Sequence, residues 1–569
     1  MTMKQYCDGG EAILEAFRAL GTDYIMSSPG SEWSPVWEAL ARQKVNQKPG
    51  PQYFESWHET LAVDMAMGAT QITGKPQAVL LHAGAGLLQG TAGLHSAVLA
   101  EVPMVILSGE SLTFGENPQL DIEGQWYRSL SIIGGPQRLV EPVTKWATQV
   151  TSSWTLYESI IRATEFAQRT PAGPVYLNVP LETMLHEWTP PAERRTIPAP
   201  PKTQAKPADV ERIARLVANA KNPVILADNA GRDPKSFAAL VELADLLGAP
   251  VGQRGASYAN FPKNHPMHLG YRIDKYIKDA DVVLLVCCRA PWYPPSKKPT
   301  SGKIVAIDEN PLKGSMVYQT LMADEYLEGE VCTSLKLLAD ACRSAGVTAQ
   351  KNAERHGRWH KEHDQIVASE LDAEKKAAAA SNGGGIHPLA LIGAMRDYMP
   401  ADTIYVEETI THSQPLQQHL PWTQPQSYFR VGGGLGQGTG YALGVRLASP
   451  KRPVALVVGD GSFLYNPIVQ ALGASRGNNL PVMIFVMNNR KYAAMQKGHL
   501  HHYPDGVAMG ADMYHGVHID GPDYAELAKP FGLTGQRVEK VGELKGAIEN
   551  GLKSVKDGKT AILNVCLTQ

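Results

Sequence analysis

Short apolar runs rich in β-branched residues recur along the chain, each followed by a polar or glycine cluster and then by a helical pattern. In the first third the runs are Tyr24–Ser27, Ala78–Leu81, Pro103–Ser108 and Gly173–Pro180. Pro223–Ala227, Asp281–Cys287 and Lys303–Asp308 follow in the middle. Thr403–Val406, Val454–Val458, Val482–Met487 and Ala561–Val565 close the series. Runs of this length with both faces apolar predict strands buried in parallel sheets. Between them, Glu11–Leu20, Leu61–Thr70 and Tyr465–Arg476 read as helices. The alternation predicts an α/β chain of three domains, each an open, mainly parallel sheet flanked by helices.

Breaks in the pattern set the boundaries. Residues 1–188 form the first block. Residues 189–209, rich in Pro and Ala without periodicity, read as a surface linker. The second block covers 210–345. Residues 346–385 form a connector whose Ala349–Ala380 run, Ala-rich and charged, reads as a solvated helix. The third block covers 386–569.

Composition narrows the function classes. The formal net charge of −2 gives no electrostatic case for nucleic acid or an anionic membrane surface. No apolar run reaches transmembrane length, and the first residues lack an apolar signal core. The six cysteines are scattered without a C-x-x-C, which suits reduced thiols and a cytoplasmic setting.

The chemistry concentrates between Pro453 and Gln496. Gly459-Asp460-Gly461-Ser462 lies past one buried run and Asn488-Asn489 past the next, where open α/β sheets bind ligands. The glycines let backbone approach a phosphate, and Asp460 and Asn489 supply hard oxygen ligands suited to Mg²⁺ on a diphosphate. A bare Gly-Asp-Gly is also an ordinary turn. Asp308, at the end of its run, could meet a ribose hydroxyl, yet the second block has no G-x-G-x-x-G.

These clusters, with the order of the three blocks, resemble the thiamine-diphosphate (ThDP) dependent decarboxylase and carboligase superfamily. The resemblance implies pyrimidine-binding, middle and diphosphate-binding domains in that order. It implies Mg²⁺ held by Asp460, Asn489 and the carbonyl of Lys491. Leu435, in the tract Gly432–Gly440, takes the place of the bulky residue that supports the bent cofactor. Thr409, Thr411, Gly461, Ser462 and Tyr492 fall where the diphosphate and its neighbours are expected, with Tyr465 a further neighbour. Glu59 takes the place of the catalytic Glu, a buried carboxyl of raised pKa that exchanges a proton with the aminopyrimidine. An ordinary helix N-terminal Glu is the bland reading. That Glu serves a cofactor held by another subunit, so a homodimer is the minimum catalytic unit and a homotetramer the expected assembly.

Within the superfamily the first block is most similar to benzoylformate decarboxylases, through Pro29-Gly30-Ser31, Leu81–Gly86, Val143–Trp146 and Gly173–Pro180. Their active-site Ser and His fall on Ser31 and His82, for binding a substrate carboxylate and for protonating the carbanion left by CO₂. A turn-and-cap Ser and a structural His are the alternatives. Their second His, in the middle domain, has no counterpart in Cys288–Tyr293; His499, His501 and His502 are other donors. The implied function is decarboxylation of a 2-oxo acid to an aldehyde, with carboligation to an acceptor aldehyde as a side channel. An acetolactate-synthase-like carboligase, which would admit an FAD not otherwise expected, is the alternative; a catalytically silent homologue is another.

Overall fold

The apolar runs become the inner strands of three all-parallel sheets in a computed structural model that describes residues 6–28, 30–112, 121–122, 129–193, 196–316, 319–381 and 384–568. Pro29, Asn382 and Gly383 therefore lie outside the described residues. The first sheet contains β1 (Tyr24–Ser27), β2 (Gln52–Glu55), β3 (Gln77–Leu81), β4 (Met104–Ser108), β5 (Trp146–Gln149) and β6 (Val175–Asn178), in the order β2-β1-β3-β4-β6-β5. The second contains β7 (Pro223–Ala227), β8 (Val251–Gly252), β9 (Val282–Val286), β10 (Lys303–Asp308) and β11 (Glu325–Glu328), in the order β11-β10-β9-β7-β8. The third contains β12 (Ile404–Glu408), β13 (Tyr428–Arg430), β14 (Val454–Gly459), β15 (Met483–Asn488), β16 (Thr534–Val538) and β17 (Ala561–Cys566), in the order β13-β12-β14-β15-β17-β16.

Topology decides where ligands can sit. In each sheet the chain leaves one inner strand in one direction and later resumes on its other side. The switch falls between β1 and β3, between β7 and β9, and between β12 and β14. Loops diverge there and open a crevice at the carboxyl ends of the strands. The register pairs Ser27 with Leu80 in the first sheet and Glu408 with Val458 in the third. Ser31 and His82 thus follow the two strands at one switch, and Thr409 and Asp460 follow the two at another.

The chain forms two compact units. One comprises Met1–Pro201, Gly432–Pro450 and Leu464–Pro481; the other comprises Lys202–Val431, Lys451–Phe463 and Val482–Gln569. In the first unit the helix Glu59–Thr73 lies against the helix Gly438–Ala448 with backbones in contact. A Cβ at Gly444 would fall 1.9 Å from the Met65 carbonyl oxygen, and one at Gly68 would fall 2.2 Å from that of Tyr441. Glycine at these positions is what lets the two helices approach so closely. In the second unit, the cores of the second and third sheets account for most of the buried aliphatic side chains.

Two sequence expectations need correction. The run Tyr465–Arg476 is not one helix: a helix Asp460–Tyr465 ends before Asn466-Pro467 and another covers Ile468–Gly477. Proline disfavours helical geometry in the residue before it and lacks an N–H of its own. Asp460 and Ser462 therefore belong to the first turn of a helix, not to a loop. The connector helix, Ala353–Ala380, is also more than a solvated spacer. It buries Trp359, His363, Glu374 and Ala377, and Glu374 accepts hydrogen bonds from His419 Nδ1 (2.7 Å) and from Arg396. Among the described residues no helix is long and apolar enough to cross a membrane.

Candidate active site

At the carboxyl ends of β14 and β15, Asp460 and the loop Asn488–Lys491 are tied to each other. The Asp460 carboxylate accepts the Gly461 N–H on Oδ1 (3.0 Å) and the Arg490 N–H on Oδ2 (2.8 Å). Asn489 Oδ1 accepts the Lys491 N–H at 3.1 Å. Behind the loop, Asn488 Nδ2 donates to Asn564 Oδ1 (3.0 Å), and Asn564 Nδ2 donates to Asp523 Oδ1 (2.7 Å). The structure thus brings Asp460, Asn489 and Lys491 together. Gly461 is packed so tightly that a Cβ would lie 2.3 Å from the Tyr492 ring. Ser462 is buried in the same turn, whereas Tyr465 is exposed.

Burial pushes the Asp460 carboxyl up to about 6. A carboxylate so disfavoured in its charged form is stabilised by a nearby cation. The donors at hand are a carboxylate, a side-chain amide and a backbone carbonyl. Such all-oxygen sets suit Mg²⁺ bound with a phosphate ligand. Among the described residues there is no group of three or more His, Cys, Asp or Glu arranged to hold a metal by themselves. The residues fit a metal–diphosphate pair better than a free transition-metal site.

At the neighbouring switch strand, β12 ends in Glu407-Glu408. Glu407 is fully buried and accepts from the Thr409 N–H (3.0 Å), the Thr409 hydroxyl, Ser413 Oγ (3.2 Å) and Tyr428 OH (2.8 Å). Arg430 Nε lies 3.3 Å from the same carboxylate. The Thr409 proton is thus engaged by a residue that the sequence reading passed over, although Glu-Glu at the end of an apolar strand was a visible conflict. Thr411, two residues on, lines a cavity of 550 Å³ with His387, His412 and Lys497.

In the first unit, the turn after β1 and the loop after β3 meet. Ser31–Trp33 forms a single 3₁₀ turn; Ser31 is exposed and Trp33 Nε1 donates to the Leu81 carbonyl at 3.1 Å. Between them Glu32 turns inward and is fully buried. Its Oε2 lies 2.9 Å from His82 Nδ1, and its Oε1 accepts the Ala83 N–H at 2.7 Å. The hydrogen bond to Glu32 raises the His82 pKa above its ordinary value, with the negative charges of Glu32 and Glu59 adding and burial opposing. Gly30 makes the pair possible: a Cβ there would lie 2.4 Å from both Glu32 Oε2 and His82 Nδ1.

Glu59 opens the helix Glu59–Thr73, behind an N-cap in which His58 Nδ1 accepts the Thr60 N–H at 3.2 Å. Its carboxylate borders Gly86, where a Cβ would meet Glu59 Oε1 and His82 Cβ, each at 2.8 Å. Ser31, Glu32, Glu59 and His82 therefore belong to one neighbourhood. Glu59 is half-buried, not enclosed, in the single chain. Glu32 escaped the sequence reading because an acidic residue beside Trp33 looks like a turn residue. Leu435, also in this unit, is half-buried. Its segment is fixed by Ser96 Oγ donating to Gln437 Oε1 (2.9 Å) and by positive φ at Gly433 and Gly436.

The middle sheet is occupied differently. Asp308 is buried against Lys313 at 3.1 Å and accepts the Asn310 N–H, so its charge is matched within its own turn. At the β7/β9 switch, burial pushes Asp228 up to about 7 beside Cys288. His499, His501 and His502 lie exposed on the helix Ala493–His502. All six cysteines are free thiols.

Three parallel-sheet domains with polar clusters at their switch points define an α/β enzyme built for a diphosphate cofactor. The chain belongs to the thiamine pyrophosphate enzyme family. Family models match the N-terminal TPP binding domain at residues 7–123, the central domain at 210–330 and the C-terminal TPP binding domain at 409–565. Benzoylformate decarboxylase of Pseudomonas aeruginosa is 25% identical over 95% of this chain and 96% of its own length. A probable acetolactate synthase large subunit of Methanococcus aeolicus is 23% identical over 96% of this chain and 90% of its own. The solved ThDP-dependent 4-hydroxybenzoylformate decarboxylase of Rhodococcus jostii RHA1 shares the fold, with a TM-score of 0.79, 23% identity and 99% of both chains covered. The protein is thus a ThDP-family enzyme of the decarboxylase and carboligase group.

Proposed function

We propose that the enzyme decarboxylates a 2-oxo acid to an aldehyde. The observation that carries this reading is the buried Glu32 carboxylate held against a half-buried His82, beside Glu59. ThDP, when bound, supplies the electron sink that makes loss of CO₂ feasible. This chain's residues must then bind the substrate and manage protons. Glu32 holds His82 through Nδ1 and favours the imidazolium, which leaves the Nε2 proton for delivery to the substrate carbon. The exposed hydroxyl of Ser31, at the head of the same turn, binds the substrate carboxylate. Glu59, at the start of a helix fixed by backbone contact, is the acid–base carboxyl.

In this reading Asp460, Asn489 and the Lys491 carbonyl hold Mg²⁺, with Gly461, Ser462, Thr409, Thr411 and Tyr492 as diphosphate neighbours and Leu435 as cofactor support. A homodimer is the working unit, so that Glu59 serves a cofactor held by its partner, and a homotetramer is the assembly. Free thiols throughout fit a reducing, cytoplasmic setting.

The competing reading is a carboligase, which needs no proton on the nucleophilic carbon before attack. A panel of 2-oxo acids with ThDP and Mg²⁺, scored for CO₂, aldehyde and hydroxyketone, separates the two. Aldehyde as the main product, with His82→Ala shifting the ratio toward hydroxyketone, supports decarboxylation. An unchanged ratio with a lowered melting temperature makes His82 structural, and no turnover of any acid favours a silent homologue.

A further inference from the structure

Arg490 is placed oddly for a structural residue. It sits in the left-handed region with φ 55°, a conformation that disfavours any residue with a Cβ. Its backbone is fully used: the N–H binds Asp460 Oδ2 and Asn488 Oδ1, and the carbonyl accepts the Ile519 N–H at 2.9 Å. Its guanidinium makes no hydrogen bond or ion pair with any described residue. The fold gives no reason for an arginine where glycine or asparagine would be easier.

The side chain faces a cavity of 640 Å³, whose lining also includes Asn488 and Asn489 of the same loop. Three cations line it, Arg490, Arg537 and Lys540, against one acid, Glu539, which is paired with Arg537 at 2.7 Å. Their sum is 3 − 1 = +2. Gly384, Gly385 and Gly542 keep part of the wall low, and Val541 and Leu567 add apolar surface. The volume lies in the range of small-molecule sites and exceeds what an inorganic ion would fill. A planar guanidinium and an ammonium facing one space match the oxygens of a phosphate.

We propose that this cavity binds a small organic phosphate monoester, a dianion matched to the +2 lining, and that its occupancy is transmitted to the metal loop. The phosphate accepts from Arg490 and Lys540, and the organic part rests on Val541 and Leu567. Because the Arg490 N–H holds Asp460, a ligand that fixes the Arg490 side chain also fixes the loop that positions the metal ligands. Phosphate ester and metal then tighten each other's binding, as linkage requires. The coupling rests on the Mg²⁺ reading given above; the cavity itself does not.

The test is calorimetric titration of the enzyme saturated with ThDP and Mg²⁺, using glycerol 3-phosphate and, separately, inorganic phosphate. Glycerol 3-phosphate should bind saturably and more tightly than inorganic phosphate, and Arg490→Gln and Lys540→Gln should each weaken it by about tenfold or more. Lys540 is exposed and lies on a different segment from the metal loop, so its variant reads the cavity even if Arg490→Gln disturbs that loop. No saturable binding up to about 10 mM, equal affinity for inorganic phosphate, or unchanged affinity in the Lys540 variant would overturn the site. The coupling is read by Mn²⁺ titration of ThDP-free protein, followed by electron paramagnetic resonance, with and without glycerol 3-phosphate. Tighter Mn²⁺ binding is expected, and unchanged binding overturns the coupling. Failure of Mn²⁺ to bind at all would instead overturn the metal reading and, with it, the coupling, while the phosphate titration would still decide the cavity.

Discussion

Glu32→Gln isolates the charge that the site directs at His82. The glutamine keeps the shape and keeps an oxygen for the Ala83 N–H, but removes the negative charge 2.9 Å from Nδ1. Glu32 is fully buried and the imidazole is 23% exposed, so solvent and salt screen the pair weakly. A hydrogen bond to a charged partner is worth about 1.5–3 kcal/mol. If the imidazolium is needed in the rate-limiting step, that energy is roughly 10- to 150-fold in kcat. The sign with pH follows from the raised folded-state pKa of His82. The protonated pair stabilises the fold fully below the ordinary histidine range, and that contribution is lost as pH rises through the folded pKa. The alkaline limb of the kcat profile should therefore move to lower pH in the variant. The stability gap to the parent should be widest at acid pH and narrow as pH rises. The assays are a coupled aldehyde readout across pH and chemical denaturation at matched pH values. A reduced kcat with an unmoved alkaline limb and a pH-independent stability gap would refute the argument, since a purely structural Glu32 would behave in that way.

Four further outcomes are expected. Glu59→Gln should bind ThDP normally yet lose at least about a hundredfold in rate; near-normal proton exchange at thiazolium C2, followed by NMR, would refute its acid–base role. Because burial raises Asp460 to about 6, a proton competes with the metal below that pH, and Mg²⁺ affinity measured by calorimetry should fall about tenfold per pH unit there; Asp460→Ala should abolish metal-dependent ThDP binding, and unchanged cofactor affinity would sink the ligand assignment. Gly444→Ala puts a methyl group 1.9 Å from the Met65 carbonyl and should cost roughly 1–3 kcal/mol of stability; an unchanged denaturation midpoint would show that the two helices separate freely.

The inner strands were legible because both their faces are buried, which leaves runs such as Ala78–Leu81 and Val454–Val458 unbroken. Edge strands were not. β16 alternates between covered and exposed positions, β11 begins and ends in glutamate, and β8 has two residues. Such segments gain strand geometry from one neighbour and not from their own composition. The positions of Asp460, Asn489, Glu59 and His82 could be read because each follows an inner strand or opens a helix. Glu32 and Glu407 could not, since their burial is decided by groups brought in from elsewhere: His82, fifty positions along the chain from Glu32, and Tyr428 and Arg430 beside Glu407. The buried side of the connector helix was hidden for a similar reason, because His363 and Glu374 read as solvated charge until His268 and His419 supply their partners.

The helix that begins with Glu59 rests on peptide groups contributed by Gly438–Ala448, a segment made hundreds of residues later. The ribosome releases the whole first block well before that segment exists. Until it arrives, Leu61 and Met65, fully buried in the finished protein, lack part of their cover. A fragment ending at Pro201 would share this defect permanently, however complete its own sheet. The helix that carries Glu59 therefore gains its full cover only late in synthesis. Substitutions tolerated at Gly68 or Gly444 must be tolerated by both segments at once, which ties the evolution of the amino-terminal third to a short stretch in the last quarter of the chain.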